Sequence, residues 1–206
     1  MLDNVVIIGY SGHAYVVIEA ALSAGISIGG YCDMTQRSNN PYGLNYHGNE
    51  ASESFVWRDD VCYFIGIGDN SIRERAANRI INNKGKFINI IHKSACVSDT
   101  VEFGNGVFFN ANVTVNALVN LGNHCILNTG CIIEHECVIG SFVHIGPGAV
   151  LAGNVIVGDR SFIGANSVVK QGIKIGSNVI IGAGAVVIKD VPDGQVVAGN
   201  PAKKIK

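Results

Sequence analysis

Two histidines stand out for the residues around them. His135 sits between two glutamates in the run Asn128-Thr129-Gly130-Cys131-Ile132-Ile133-Glu134-His135-Glu136-Cys137-Val138-Ile139-Gly140, and His144 follows nine residues on. Imidazole exchanges its proton near neutral pH, so a histidine beside a carboxylate suits general-base work on a nucleophile with a proton to lose. The pairing of His135 with Glu136 raises a geometric difficulty, because neighbours in a strand point to opposite faces. It works only where the backbone turns or the glutamate reaches back. Cys125, Cys131 and Cys137 recur at sixfold spacing and superficially offer a metal site or a nucleophile. Val, Ala and Ser fill the same slot elsewhere, so the packing of small side chains explains them better, and Cys137 should face inward, away from His135. Chemistry at His135 should then proceed by direct attack, without a covalent enzyme intermediate. A third patch, Gly9-Tyr10-Ser11-Gly12-His13, joins an apolar run to a helical one, where backbone N–H groups at a helix start would hold a phosphate. A glycine pair without the third glycine does not by itself specify a dinucleotide fold.

The elements that must position these groups are written in the periodicity. Every sixth residue from Val97 to Val187 is apolar, without insertion or deletion. Two residues before each lies a second, mostly small series that begins at Ala95 and ends at Ala185. Gly or Asn often follows the apolar position. A period of six fits neither an amphipathic helix nor a meander, and it is the mark of a parallel β-helix. Each short strand points two residues inward and then turns through residues that tolerate unusual dihedrals. His135 and His144 fall outside both inward series, which leaves their rings able to meet a ligand. Asn128 could orient a substrate, but it fills the turn slot that Asn110 and Asn116 also fill.

The first half alternates instead. Val5–Gly9 reads as a buried strand and residues 14–24 as a helix, with Ile18 and Leu22 on one face and Gly25 at its C-terminal cap. Further strands are expected over residues 26–31, 61–67 and 87–91. A helix capped by Asp69 or Asn70 should run to about Asn82, and residues 34–55 should form a loop. Strands alternating with helices argue a small parallel sheet with its ligand site beyond the carboxyl ends of the strands. Residues 1–92 therefore read as a Rossmann-like α/β domain and residues 93–206 as an all-β parallel β-helix.

Composition narrows the class. The chain has 206 residues and a formal net charge of -1, so no electrostatic footprint suggests nucleic acid or an anionic membrane as partner. Mean hydropathy is +0.29, yet no apolar run approaches membrane-spanning length. Met1-Leu2-Asp3-Asn4 lacks a basic region, which argues against a signal peptide. Six cysteines without a CxxC spacing fit a reduced, cytoplasmic protein.

The segment around Ile133-Glu134-His135-Glu136, with Val143-His144-Ile145-Gly146 after it, resembles the active-site coil of the hexapeptide-repeat sugar O/N-acetyltransferases. These comprise the nucleotide-amino-sugar N-acetyltransferases of the bacillosamine and perosamine type and the related sialic acid O-acetyltransferases. Gly9-x-Ser11-Gly12-His13 is similar to their sugar-nucleotide loop, Ile91-His92-Lys93-Ser94-Ala95 to their domain junction, and Gly199-Asn200-Pro201-Ala202-Lys203 to their closing motif. The likeness covers the whole chain, and the chain departs from it at Tyr10, Ala14 and Met34. The resemblance implies a left-handed coil of eighteen residues, a homotrimer with sites between adjacent β-helices, and acetyl-CoA as co-substrate with no metal. It also implies roles. His135 would be the general base, with Glu136 fixing its tautomer and strengthening it. His144 would contact acetyl-CoA near the thioester carbonyl, with Ala165, Ala183 and Lys203 further along the coenzyme. Ser11, Gly12, His13, Asp33, Met34 and Gly68 would hold the nucleotide-linked amino sugar, and Asn128 would orient it.

Three rivals remain distinct. The nearest is O-acetylation of sialic acid or another sugar. A zinc hydratase on the same coil needs three converging histidines, two of them close in sequence, whereas the histidines here stand at 13, 47, 92, 124, 135 and 144. A non-catalytic sugar-nucleotide-binding scaffold would bind nucleotide without releasing thiol from acetyl-CoA.

Overall fold

A computed structural model of the chain describes residues 4–205, so Met1–Asp3, read above for the lack of a leader, and Lys206 lie outside the described residues. The chain divides into two compact units, one up to Lys93 and one from Ser94 onward.

In the first unit five strands form one parallel sheet. They are β1 (Val5–Ile8), β2 (Ile28–Cys32), β3 (Asn45–Tyr46), β4 (Cys62–Ile65) and β5 (Lys86–Phe87), in the order β3-β2-β1-β4-β5. The chain steps outward from β1 through β2 to β3, then returns to the other side of β1 at β4. That reversal opens a crevice at the carboxyl ends of β1 and β4, where such sheets bind ligands. Helix α1 (Gly12–Ser23) follows β1, and helix α2 (Asn70–Asn82) follows β4. Asp69 caps α2, accepting from the N–H of Ile72.

Several sequence expectations are corrected here. Helix α1 begins at Gly12, two residues early, because extended Ser11 takes the capping position. Its buried stripe is Ala14, Val17, Ile18 and Ala21, with Ala20 beside it, while Leu22 is 50% exposed. One residue beyond Ala21 turns the side chain past the edge of that stripe. The segment 34–55 is not all loop, since β3 pairs with Gly30 and Tyr31 of β2. The strand expected over 87–91 is broken into β5 and a separate Ile90–Ile91 piece. Helix α1 lies so close to the sheet that a Cβ on Gly66 would stand 2.8 Å from that of Ala14. Glycine is required there for contact, not for conformation.

The second unit is a parallel β-helix. Thr114 pairs with Ile132, and Ile132 with Val150; equivalent positions are thus eighteen residues apart, three hexads to a coil. Three sheets, parallel but for a terminal Lys203–Lys204 strand, form the faces of a prism, illustrated by the strands Ile126–Leu127, Ile132–Ile133 and Val138–Ile139. From Val107 to Val187 every member of both inward series is buried. Phe103, near the start of the coil, is 36% exposed. Cys125, Cys131 and Cys137 are all in this core. Burial pushes the Cys131 thiol up to about 12 and raises that of Cys137, so both stay protonated.

The corners carry the backbone's least common conformation. From Gly106 to Gly184 one residue in each is left-handed, including His124 (φ 56°), Glu136 (φ 61°), Phe142 (φ 60°) and Asn154 (φ 56°). That dihedral aims its N–H at the corner of the preceding coil. Glu136 donates to the carbonyl of Ala117, and Asn154 to that of His135. The ladder is therefore unbroken around the turn, and these bonds offset the roughly 1–2 kcal/mol that a left-handed non-glycine residue costs.

No helix among the described residues is long and apolar enough to cross a membrane.

His13 supplies a pH-dependent element in this fold. Burial, then the neighbouring Arg73 guanidinium, lower its imidazole to about 4. An unfolded histidine protonates near 6.5. Between those values the unfolded chain binds the extra proton, so this group's contribution to stability is full above the upper value and is lost as pH falls toward the lower one. His13→Gln should flatten that dependence: the drop in urea midpoint between pH 7 and pH 5 should be smaller than in the wild type. Equal drops would show that His13 is not buried in its neutral form.

Candidate active site

A cleft of about 360 Å³ opens at the carboxyl ends of the strands in the first unit. Gly9, Tyr10 and Ser11 after β1, Asp33 and Met34 after β2, and Ile67 after β4 line it together with residues of α2. Ser11 is exposed, and its hydroxyl makes no capping bond to α1. N–H groups of the first helical turn, which have no partner within the helix, and the positive end of the helix dipole make this corner receptive to an anion.

Asp33 is present, but its carboxylate serves the protein rather than open space. It is 7% exposed and accepts from the N–H of Tyr10 at 3.0 Å and from that of Met34 at 2.7 Å. Arg37 binds it through Nε and Nη2, each at 2.8 Å. The loops after β1 and β2 are thereby tied together at the crevice. Tyr10, larger than the resemblance leads one to expect, turns its ring into the protein. It stacks on Tyr31 at 4.0 Å, and its hydroxyl donates to Asn40. Met34 is 78% exposed on the rim. His13 and Gly68 stand against each other beside the cleft and not among its lining residues. The Arg73 side chain, 1% exposed, donates to the carbonyl of Gly68 at 3.0 Å.

The sequence reading passed over the cations of this cleft. Arg37, Arg75 and Arg79 all line it, with Glu50 paired to Arg79 at 3.2 Å. Arg75 is exposed and makes no ion pair among the described residues. Ile72, Arg75 and Arg79 share one face of α2 by their spacing of three and four, a signal present in the sequence but silent until the sheet order says which face meets the crevice.

On the β-helix, His135 and Glu136 occupy a corner. The left-handed φ at Glu136 resolves the strand-alternation difficulty, because both side chains leave the corner on the same side. His135 Nδ1 lies 3.0 Å from a Glu136 carboxylate oxygen, with the side chains 51% and 60% exposed. An ionised carboxylate only accepts, so Nδ1 carries the proton and Nε2 presents its lone pair. Glu134 is held by Asn116 Nδ2 at 2.9 Å. The ring of His135 lies over Gly153 of the next coil, where an added Cβ would fall 2.5 Å from Cε1 and 2.6 Å from Nε2. The corresponding slot elsewhere holds Ala111, Ala117, Thr129, Ser141 or Ala165, so no backbone requirement explains this glycine. The imidazole does.

Asn128 lies on the edge before the Ile132–Ile133 strand, and His144 on the strand face that leads into that edge, stacked between Ile126 and Phe162, whereas His135 lies on the edge after it. Within one chain the two groups are separated by a face whose outward ladder is Ile132, Val150, Val168 and Val186. His144 is 8% exposed, less open than its outward register suggests, with Phe162 edge-on at 5.0 Å and Asn128 Nδ2 3.3 Å from its Nε2. Ala165 and Ala183 stack on the same edge. Their N–H groups make no hydrogen bond among the described residues. On the edge after the Val138–Ile139 strand, side chains cap this N–H, Asp159 at Ser141 and Asp193 at Ser177. Lys203 is exposed in a short strand antiparallel to Val196–Ala198. Among the described residues no group of three or more His, Cys, Asp or Glu side chains is arranged to hold a metal ion.

Known proteins share both halves. The family described as PglD N-terminal domain matches residues 4–80. Bacterial transferase hexapeptide (six repeats) matches 136–171, and hexapeptide repeat of succinyl-transferase matches 154–189. UDP-N-acetylbacillosamine N-acetyltransferase of Bacillus subtilis (strain 168) is 40% identical over 52 residues, which spans 25% of this chain and 24% of that protein. PerB from Caulobacter crescentus, solved in complex with CoA and GDP-perosamine, is 36% identical with a TM-score of 0.92, covering 100% of this chain and 99% of that one. The acetyltransferase domain of PglB from Neisseria gonorrhoeae FA1090, in complex with acetyl coenzyme A, is 33% identical with a TM-score of 0.90, covering 98% of each chain.

The seat beneath His135 can be tested directly. Gly153→Ala places a methyl group where the ring lies, while the backbone there accepts alanine as it does at positions 117 and 165. The substitution should shift the side-chain nitrogen resonances of His135 and weaken its bond to Glu136, with Tm close to that of the wild type. Unchanged His135 resonances would show that the ring does not rest on Gly153.

Proposed function

The chain belongs to the hexapeptide-repeat sugar N-acetyltransferases with a PglD-type N-terminal domain, and from that premise we propose that it transfers the acetyl group of acetyl-CoA to the amino group of a nucleotide-linked amino sugar. The observation that carries this reading is the corner pair of His135 and Glu136, in which a 3.0 Å contact from Nδ1 to the carboxylate on a half-exposed ring leaves Nε2 as the basic nitrogen. The sugar nitrogen attacks the thioester carbonyl carbon, and its proton passes to His135 Nε2. The C–S bond then breaks, and the coenzyme leaves as thiolate and takes up a proton. Transfer is direct, since Cys137 is buried facing the core with its thiol bonded to the carbonyl of Ala152.

The nucleotide occupies the cleft of the first unit. Its diphosphate takes the N–H groups of Ser11 and Gly12 at the start of α1, with Arg75 and Arg79 as counter-charges. Met34 contacts the exposed side of the base or ribose. Asp33 and Gly68 build the crevice walls, and His13 stands behind them as a neutral ring. Acetyl-CoA runs along the edge that carries Ala165 and Ala183, whose open N–H groups suit its amide carbonyls, with Lys203 toward its phosphates. His144 donates to the thioester carbonyl as negative charge develops there, and Asn128 orients the ring.

The protein acts as a homotrimer. One chain holds the base on one edge of the prism and His144 on a different face, with the Ile132–Val186 face between them, so each site needs a second copy to be complete. The apolar ladder from Ile132 to Val186 offers surface for that association.

Two measurements test this reading. With acetyl-CoA and a nucleotide 4-amino sugar, thiol release should be rapid, and His135→Ala should lower kcat/KM by roughly a hundred- to ten-thousandfold. The hydroxyl analogue of the sugar should be a poor acceptor; faster turnover on the hydroxyl would instead make the protein an O-acetyltransferase, and nucleotide binding without thiol release a scaffold. Co-expressed His135→Ala and His144→Ala chains, each inactive alone, should regain activity in mixed trimers. A mixture as inactive as its parents would place the whole site within one chain.

A further inference from the structure

The orientation of the Asn128 side chain is decided by the donors around it. Its Oδ1 lies 2.8 Å from the backbone N of Thr129 and 3.1 Å from Nδ2 of Asn110. Asn110 is itself fixed, because its Oδ1 accepts from the N–H of Ala111 at 2.7 Å, which turns its Nδ2 toward Asn128 and the Thr129 hydroxyl, 2.8 Å away. It is 3% exposed, so no solvent competes for these bonds. Reversing the Asn128 amide would set an NH₂ group against two donors. Nδ2 of Asn128 is therefore the atom that faces His144 Nε2 at 3.3 Å. A donor facing a ring nitrogen requires a lone pair on it, and the ring proton must then lie on Nδ1.

We infer that Asn110 is a positioning residue that, through Asn128, holds His144 as its Nδ1–H tautomer. With Nε2 occupied, His144 can donate a proton but cannot act as a base. His135, whose Nε2 is open, is left as the sole acceptor. Two histidines that look alike in the sequence are thereby assigned opposite duties. Their assignment to acetyl transfer rests on the function proposed above; the tautomer does not.

Nitrogen-15 labelling of the histidines and long-range proton–nitrogen spectra of the trimer read this without any substrate. In the wild type, His144 should show a protonated Nδ1 and a bare Nε2. Asn110→Asp replaces the donor with an acceptor, so the Asn128 amide should turn over, present its oxygen to His144 and draw the proton to Nε2. Asn110→Ala should move the population the same way by a smaller amount, and it serves alone if the aspartate variant does not fold. His135 should be unaffected in both. Loss of Nδ1–H should lower kcat on the order of ten- to hundredfold with little change in KM for the sugar. An Nε2–H form in the wild type would overturn the inference, as would spectra unmoved by either substitution. If the spectra behave as stated but no amino sugar is acetylated, the inference stands and the proposed function falls.

Discussion

The structure depends on the bond that a left-handed corner residue sends to the coil before it. Glu136 to Ala117, and Asn154 to His135, are two rungs of a ladder that would otherwise break at every turn. Because the ladder survives the corner, coils stack at a fixed register of eighteen residues, and each side chain has a known neighbour one coil up and one coil down. The chemistry inherits this regularity. His135 meets Glu136 because the left-handed φ puts consecutive side chains on one side, and it lies flat because its neighbour one coil on is Gly153. Asn128 meets Asn110 for the same reason in the opposite direction.

Polar groups on this prism are held by one another as well as by the backbone. Asn110 is buried yet satisfied, and a buried amide with all its partners in place has one orientation. That is how a residue with no ligand contact of its own can set the proton on a histidine two coils away, through the amide in the coil between. The exposed hydrogen bond of His135 to Glu136 works differently: it adds little to stability in water, and its value lies in fixing which ring nitrogen is bare.

The first unit uses a separate device for the same end. Asp33 gathers the N–H groups of Tyr10 and Met34 and the guanidinium of Arg37, so the loops after β1 and β2 form one wall of the cleft. Such a carboxylate looks like a ligand contact when read from its place at a strand end. Its burial and its partners also make it a brace within the cleft lining, where the arginines of α2 add positive charge.

The sequence alone determined the β-helix, the alternating strands and helices before it, and the inward cysteines, because steric periodicity is a local property that survives without coordinates. It also marked His135 and Glu136, through a motif dense enough to resemble one kind of chemistry. The tertiary structure decided what periodicity cannot express. The corner conformation at Glu136, the seat at Gly153 and the amide order from Ala111 to His144 each depend on residues adjoining across coils. Arg75 and Arg79 face the cleft only because the strand order reverses between β1 and β4. Leu22 is exposed against expectation for a related reason: burial is set by what packs against a helix, and a single sequence does not carry the identity of that neighbour.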